Sequence, residues 1–100
     1  MLDSRQRAHL RALANPIESL FQVGKAGLLD SAAQQFDDAL EARELIKVHV
    51  LKTTAEDIRS IADTIAVRVG ADVVSVVGRR VVLYRASARL RKEGRSIRLP

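Results

Sequence analysis

The chain has 100 residues, 47% of them apolar and 29% charged, enough for one domain around one core and too apolar throughout for a disordered chain. It contains no cysteine, which excludes disulfides and thiolate metal sites, and no apolar run approaches the roughly 20 residues that span a bilayer. The formal charge of +5 is uneven: residues 1–27 carry a net +2, residues 28–78 a net −4 and residues 79–100 a net +7, a segregation that attracts polyanions.

At the N-terminus, Met1-Leu2-Asp3-Ser4-Arg5 lacks the apolar stretch of a signal peptide, so a cytoplasmic location and no membrane partner are expected. Asp3 or Ser4 can cap a first helix, with Gln6 placed as in a capping box. Leu10, Leu13 and Ala14 recur at helical spacing, and Asn15-Pro16 ends the segment, because proline disfavours helix in the residue before it. Ile17 to Val23 reads as a short strand. Gly24-Lys25-Ala26-Gly27 follows as a bare turn.

A helix is predicted from Asp30 to about Arg43, with Ala32, Phe36, Ala39 and Leu40 on one face. Leu45 to Leu51 alternates as a strand, with Lys47 and His49 sharing one face. Thr53 and Thr54 offer caps for a helix with the stripe Ile58, Ile61, Ala62, Ile65, Ala66 and Val69, stopped at Gly70. Val73 to Val77 and Val81 to Tyr84 form a hairpin around Gly78-Arg79-Arg80. Residues 86–100 are polar and basic, a tail expected to be loosely ordered in isolation. The order α-β-α-β-α-β-β predicts an α/β fold: a two-layer sandwich with a four-stranded mixed sheet backed by helices.

No catalytic constellation is visible. His49 has no acid–base partner in its neighbourhood, and His9 sits beside arginines. The carboxylates Asp37, Asp38, Glu41 and Glu44 read as a solvated face rather than a metal site. No cofactor, metal or small-molecule substrate is expected. Gly24-Lys25-Ala26-Gly27 lacks the Ser or Thr and the upstream glycine of a phosphate-binding P-loop, and the further glycine of a dinucleotide site. A G-x-x-G clamp on a nucleic-acid backbone, as in KH domains, remains. Glycines admit the phosphates, Lys25 adds a charge, and the helix start behind them adds N–H groups. Phe21, Phe36 and Tyr84 are too few for a base-stacking platform, so recognition should rest on backbone and shape.

Five segments together resemble a known family. They are Leu10-Arg11-Ala12-Leu13-Ala14 with Pro16, Val23-Gly24-Lys25-Ala26-Gly27-Leu28, Ala39-Leu40-Glu41, Glu44-Leu45-Ile46-Lys47-Val48, and Val77-Gly78-Arg79-Arg80-Val81-Val82-Leu83-Tyr84-Arg85. Over roughly residues 4–85 the chain is similar to the CRM domain, the chloroplast RNA splicing and ribosome maturation domain, in its stand-alone bacterial form. The resemblance implies a fold like the C-terminal domain of translation initiation factor three. It also implies RNA binding: bacterial members assist maturation of the large ribosomal subunit, and plant organellar relatives promote group II intron splicing. Leu29 departs from the family, which often carries a capping Thr there; Asp30 or Ser31 can cap instead.

The resulting expectation is a non-catalytic RNA-binding domain, residues 1–85, followed by a basic tail, residues 86–100. Its partner would be structured RNA, namely large-subunit ribosomal RNA or its precursor particle. Gly24, Ala26 and Gly27 would admit the backbone; Lys25, Arg5, Arg7, Arg11, Lys47, Arg79, Arg80 and Arg85 would neutralise phosphates. The competing expectation is a protein-interaction module whose basic tail meets an acidic partner.

Overall fold

Local chemistry starts the first helix where the sequence places it. Asp3 accepts from the backbone N–H of Gln6 at 2.8 Å, and Gln6 returns a side-chain acceptor to the N–H of Asp3 at 3.1 Å, a reciprocal cap. The computed structural model describes residues 2–19, 21–24, 30–51 and 57–100. In these it contains α1 (Ser4–Ala14), β1 (Phe21–Val23), α2 (Asp30–Arg43), β2 (Leu45–Val50), α3 (Ile58–Val69), β3 (Asp72–Val77), β4 (Arg80–Tyr84) and α4 (Ala88–Lys92).

Two of the expected boundaries shift and a third holds. The strand expected from Ile17 is formed by Phe21–Val23 only; the amide of Ile17 donates to Ala14 O at 3.0 Å, continuing the exit from α1, and its side chain packs under that helix. The α3 helix is capped by Asp57, which accepts from Ser60 N, whereas the expected caps Thr53 and Thr54 lie outside the described residues. Gly70 stops α3 in the left-handed conformation at φ 65°, as the sequence indicates.

The sheet is four-stranded, in the order β1-β2-β4-β3. β1 pairs parallel with β2, which requires a crossover, and α2 supplies it. β4 runs antiparallel to both β2 and β3. The hairpin turns on Gly78 at φ 59°, a backbone conformation that side chains resist. A bulge between Val73 and Ser75 kinks β3, a strand at the sheet margin.

The mixed four-stranded sheet with helices is as expected, but the helices divide between its two faces. Strand alternation decides which side chains go where. Ile46, Val48, Val50, Val81 and Leu83 point one way and meet Phe36 and Leu40 of α2 and the Ile61–Ile65 stripe of α3. Phe21 closes this core edge-to-face on Phe36, centroids 5.6 Å apart. Leu45, Val82 and Tyr84 point the other way and meet Leu10 and Ala14 of α1. The second face is therefore half-covered: α1 lies over its Leu45–Tyr84 end.

The C-terminal segment corrects an expectation. Residues 86–100 are not a loose tail: Ser87 caps α4, Leu90 is buried, and Ile97 and Leu99 pack on the α1 core. Their anchor is Glu44, which is fully buried, not part of a solvated acidic face. Its carboxylate accepts from Ser87 N at 2.7 Å, Ser96 Oγ at 2.7 Å and Ile97 N at 2.6 Å. Burial pushes this carboxyl up, but those hydrogen bonds and nearby Arg91 outweigh it and hold it below the ordinary glutamate value. Glu44 also adopts φ 67°, the left-handed exit usually taken by glycine after a helix.

Candidate nucleic-acid interface

Three chain segments meet at one end of the sheet. Gly24 leaves β1, Leu51 leaves β2, and the β3–β4 turn lies beside them. Leu51 N donates to Val23 O at 2.8 Å, and Val50 N donates to Arg79 O at 2.8 Å. The Arg79 guanidinium closes the junction: Nε donates to Val50 O at 2.8 Å, and Nη2 donates to Leu51 O. Arg79 is thus a tie that fixes the end of β2 beside Gly24, and its donors serve main-chain carbonyls there. A Cβ built on Gly24 would stand 3.5 Å from Leu51 Cδ1, ordinary contact, so local packing alone does not demand glycine at that position. Lys25, Ala26 and Gly27 lie outside the described residues.

Next to this junction, the half of the sheet face left open by α1 carries a polar row. Register places Gln22 beside His49, His49 beside Arg80, and Arg80 beside Val77, so the row crosses all four strands. One step inward, Lys47, Val82 and Ser75 form the next row. The last turn of α1 overhangs it: Arg11, Ala14 and Asn15 share a cleft of about 210 Å³ with Lys47, Ser75, Val77, Arg80 and Val82. Arg11, Lys47 and Arg80 are therefore brought to one cleft beside the Gly24 turn, and none of the three has an ion pair among the described residues. Arg7 and Arg11 line the adjoining groove with Arg59 of α3. Arg7 is partly committed, donating to Val73 O and Leu2 O at 3.4 Å each.

Gln22, His49 and Arg59 are additions to the expected set. The alternation that put His49 on the same face as Lys47 was the available signal; Gln22 and Arg59 had none, because their place depends on strand order and helix packing.

Besides Arg7 in the adjoining groove and Arg79 at the end of β2, two expected arginines lie away from the cleft. Arg85 follows β4 at the opposite end from Arg80, and its guanidinium pairs with Asp37 at 2.5 Å and Glu41 at 3.4 Å while donating to Val69 O at 2.8 Å. It holds α2, α3 and β4 together. Arg5 is exposed in the first turn of α1, where neighbouring Gln6 donates to Pro100 O at 3.4 Å; that places it beside the C-terminal segment. Tyr84 is buried under α1, and burial together with the Glu44 charge pushes its phenol up, so it is a core residue rather than a base-stacking one. Among the described residues no group of three or more His, Asp or Glu side chains could hold a metal ion, and no helix is long and apolar enough to cross a membrane.

Known proteins resemble this chain in sequence and fold. Over its full length the chain is 40% identical to all of the Bacillus subtilis protein named "Probable RNA-binding protein YqeI". It is 31% identical to a Haemophilus influenzae protein named "RNA-binding protein", covering 86% of this chain and 87% of the relative. A Staphylococcus aureus protein solved in solution superposes with a TM-score of 0.81 at 40% identity, covering all of both chains. The model of the CRS1/YhbY (CRM) domain matches residues 2–85. With that match spanning the whole sheet and helices α1 to α3, the chain belongs to the CRS1/YhbY (CRM) domain family, in its stand-alone bacterial form.

Proposed function

We propose that the protein is a non-catalytic RNA-binding factor that engages ribosomal RNA within precursors of the large ribosomal subunit and assists their assembly in the cytoplasm. The observation that carries the reading is the cleft in which Arg11 of α1, Lys47 of β2 and Arg80 of β4 converge beside the Gly24 turn. Three cations from three elements, without acidic partners among the described residues, make a site for phosphates. The open row Gln22–His49–Arg80 offers hydrogen-bonding groups beside them. In this reading Gly24, Ala26 and Gly27 let the backbone approach, Lys25 adds charge at the turn, and Arg7 extends the track along α1. Arg79 contributes by fixing the end of β2, while Arg5 and Arg85 lie away from the cleft.

The test is affinity for fragments of precursor ribosomal RNA across a salt series. Binding should fall steeply with salt, and Arg80→Gln, Lys47→Gln and Lys25→Gln should each lower the log–log slope by roughly one. A flat slope would refute the reading. Sedimentation of extract before and after ribonuclease separates it from the acidic-partner alternative: co-migration with large particles should disappear once RNA is digested.

A further inference from the structure

The cations of α4 follow β4 at the end opposite Arg80 of the cleft. The Glu44 pole lies beyond Tyr84, roughly 14 Å from Arg80 along the strand, with Lys47 between them and sharing a pocket with Ile97. At the Glu44 pole Arg89, Arg91, Lys92, Arg95 and Arg98 are exposed. Glu93 is the one acid among residues 86–100, and it is shared between Arg89 at 3.7 Å and Arg95 at 3.2 Å. Asp37 and Glu41 of α2, also at this pole, are engaged by Arg85, and α2 packs on the other face of the sheet from Ile97 and Leu99.

The segment is also held in place. Its three large apolar side chains all turn inward: Leu90 is 4% exposed, and Ile97 and Leu99 pack on the α1 core. Glu44 fixes both flanks of α4 through Ser87, Ser96 and Ile97. The outward face of α4 itself, Arg89, Arg91 and Lys92, carries no large apolar side chain to form the desolvated centre that a protein interface needs. What remains is a positioned array of guanidinium and ammonium groups, a surface that phosphates match by charge alone.

We propose that this segment is a second nucleic-acid contact, so that one molecule holds two phosphate backbones at opposite poles and bridges two RNA helices. The proposal rests on the RNA-binding reading of the first cleft. Arg80 and the Tyr84 end of β4 are farther apart than the screening length of about 8 Å at physiological salt, so the cations at the two ends repel one another weakly.

The experiment uses the full chain and two short RNA hairpins, one carrying a donor dye and one an acceptor. With wild-type protein, energy transfer between hairpins should rise at one protein per two hairpins and collapse in protein excess. The quadruple variant Arg91→Gln, Lys92→Gln, Arg95→Gln, Arg98→Gln should lose transfer about ten-fold, because the second site no longer captures a hairpin. Its affinity for a single hairpin should change by less than about three-fold at physiological salt. An unchanged circular dichroism spectrum and melting point show that the variant is folded; a single substitution, Arg91→Gln, gives the same direction at smaller size should the quadruple variant melt early. Transfer that persists in the folded variants overturns the proposal while leaving the first cleft intact. Absence of wild-type binding to either hairpin overturns both. Preferential capture of a polyglutamate peptide by these same residues overturns it in favour of an acidic protein partner.

Discussion

Glu44 shows how one side chain can organise a pole of the molecule. Its backbone takes a left-handed conformation that costs a non-glycine residue roughly 1–2 kcal/mol, and three charge-assisted hydrogen bonds offset that cost. Glu44→Gln keeps the shape but removes the charge, and should lower stability by about 2 kcal/mol in urea unfolding. The carboxyl sits below its ordinary value of 4.5 in the folded state. Folding therefore gains from its ionisation at all pH above that value, and the gain is lost as pH falls from 4.5 through the lower folded value. Stability measured down that range should drop in wild type and change far less in Glu44→Gln. Arg85 and Arg80 make a second pair of contrasts: Arg85→Gln should reduce stability yet leave the salt slope of RNA binding unchanged, and Arg80→Gln should do the reverse. Arg80 was legible in the sequence as a candidate phosphate contact; the structural roles were not. Glu44, Arg79 and Arg85 look like surface charges until partners tens of residues away close on them.

At the level of elements, periodic segments declared themselves and aperiodic ones did not. The α3 stripe Ile61, Ala62, Ile65, Ala66 and Val69 is buried as its 3.6-residue spacing demands, and β2 alternates as read, with Lys47 and His49 on its α1 side. Ile17 to Val23 has apolar residues without a period, so propensity could not tell the coil that packs Ile17 under α1 from the strand that begins at Phe21. The C-terminal segment was misjudged because its charge outweighed three apolar residues, Leu90, Ile97 and Leu99, whose docking surface is made by other elements. Leu90→Ala should cost about 2–4 kcal/mol, seen as a lower urea midpoint, and should expose residues 88–98 to trypsin.

For the molecule as a whole, composition spoke to class and topology decided the site. Positive charge at the two chain ends suggested a single basic cradle; the fold instead sends it to two poles. The N-terminal helix brings Arg11 to Lys47 and Arg80 and Arg7 to the adjoining groove, while α4 and its cations are held by the hydrogen bonds of Glu44. Strand order β1-β2-β4-β3 is the deciding fact, since it puts the hairpin turn next to the exits of β1 and β2. The local motif in the sequence drew attention to Gly24; only the topology could assign its neighbours, Leu51 and Arg79.

The kink in β3 bears on how copies of this protein behave toward one another. An apolar margin strand such as Asp72–Val77 invites addition of another strand. Here the extra residue at Val74 breaks the ladder's repeat, and Arg7 occupies the carbonyl of Val73. A margin both bent and plugged gives a second molecule no regular template, so concentrated protein without RNA is expected to sediment as single chains. Deleting Val74 together with Arg7→Ala should release that restraint, and light scattering should then report self-association.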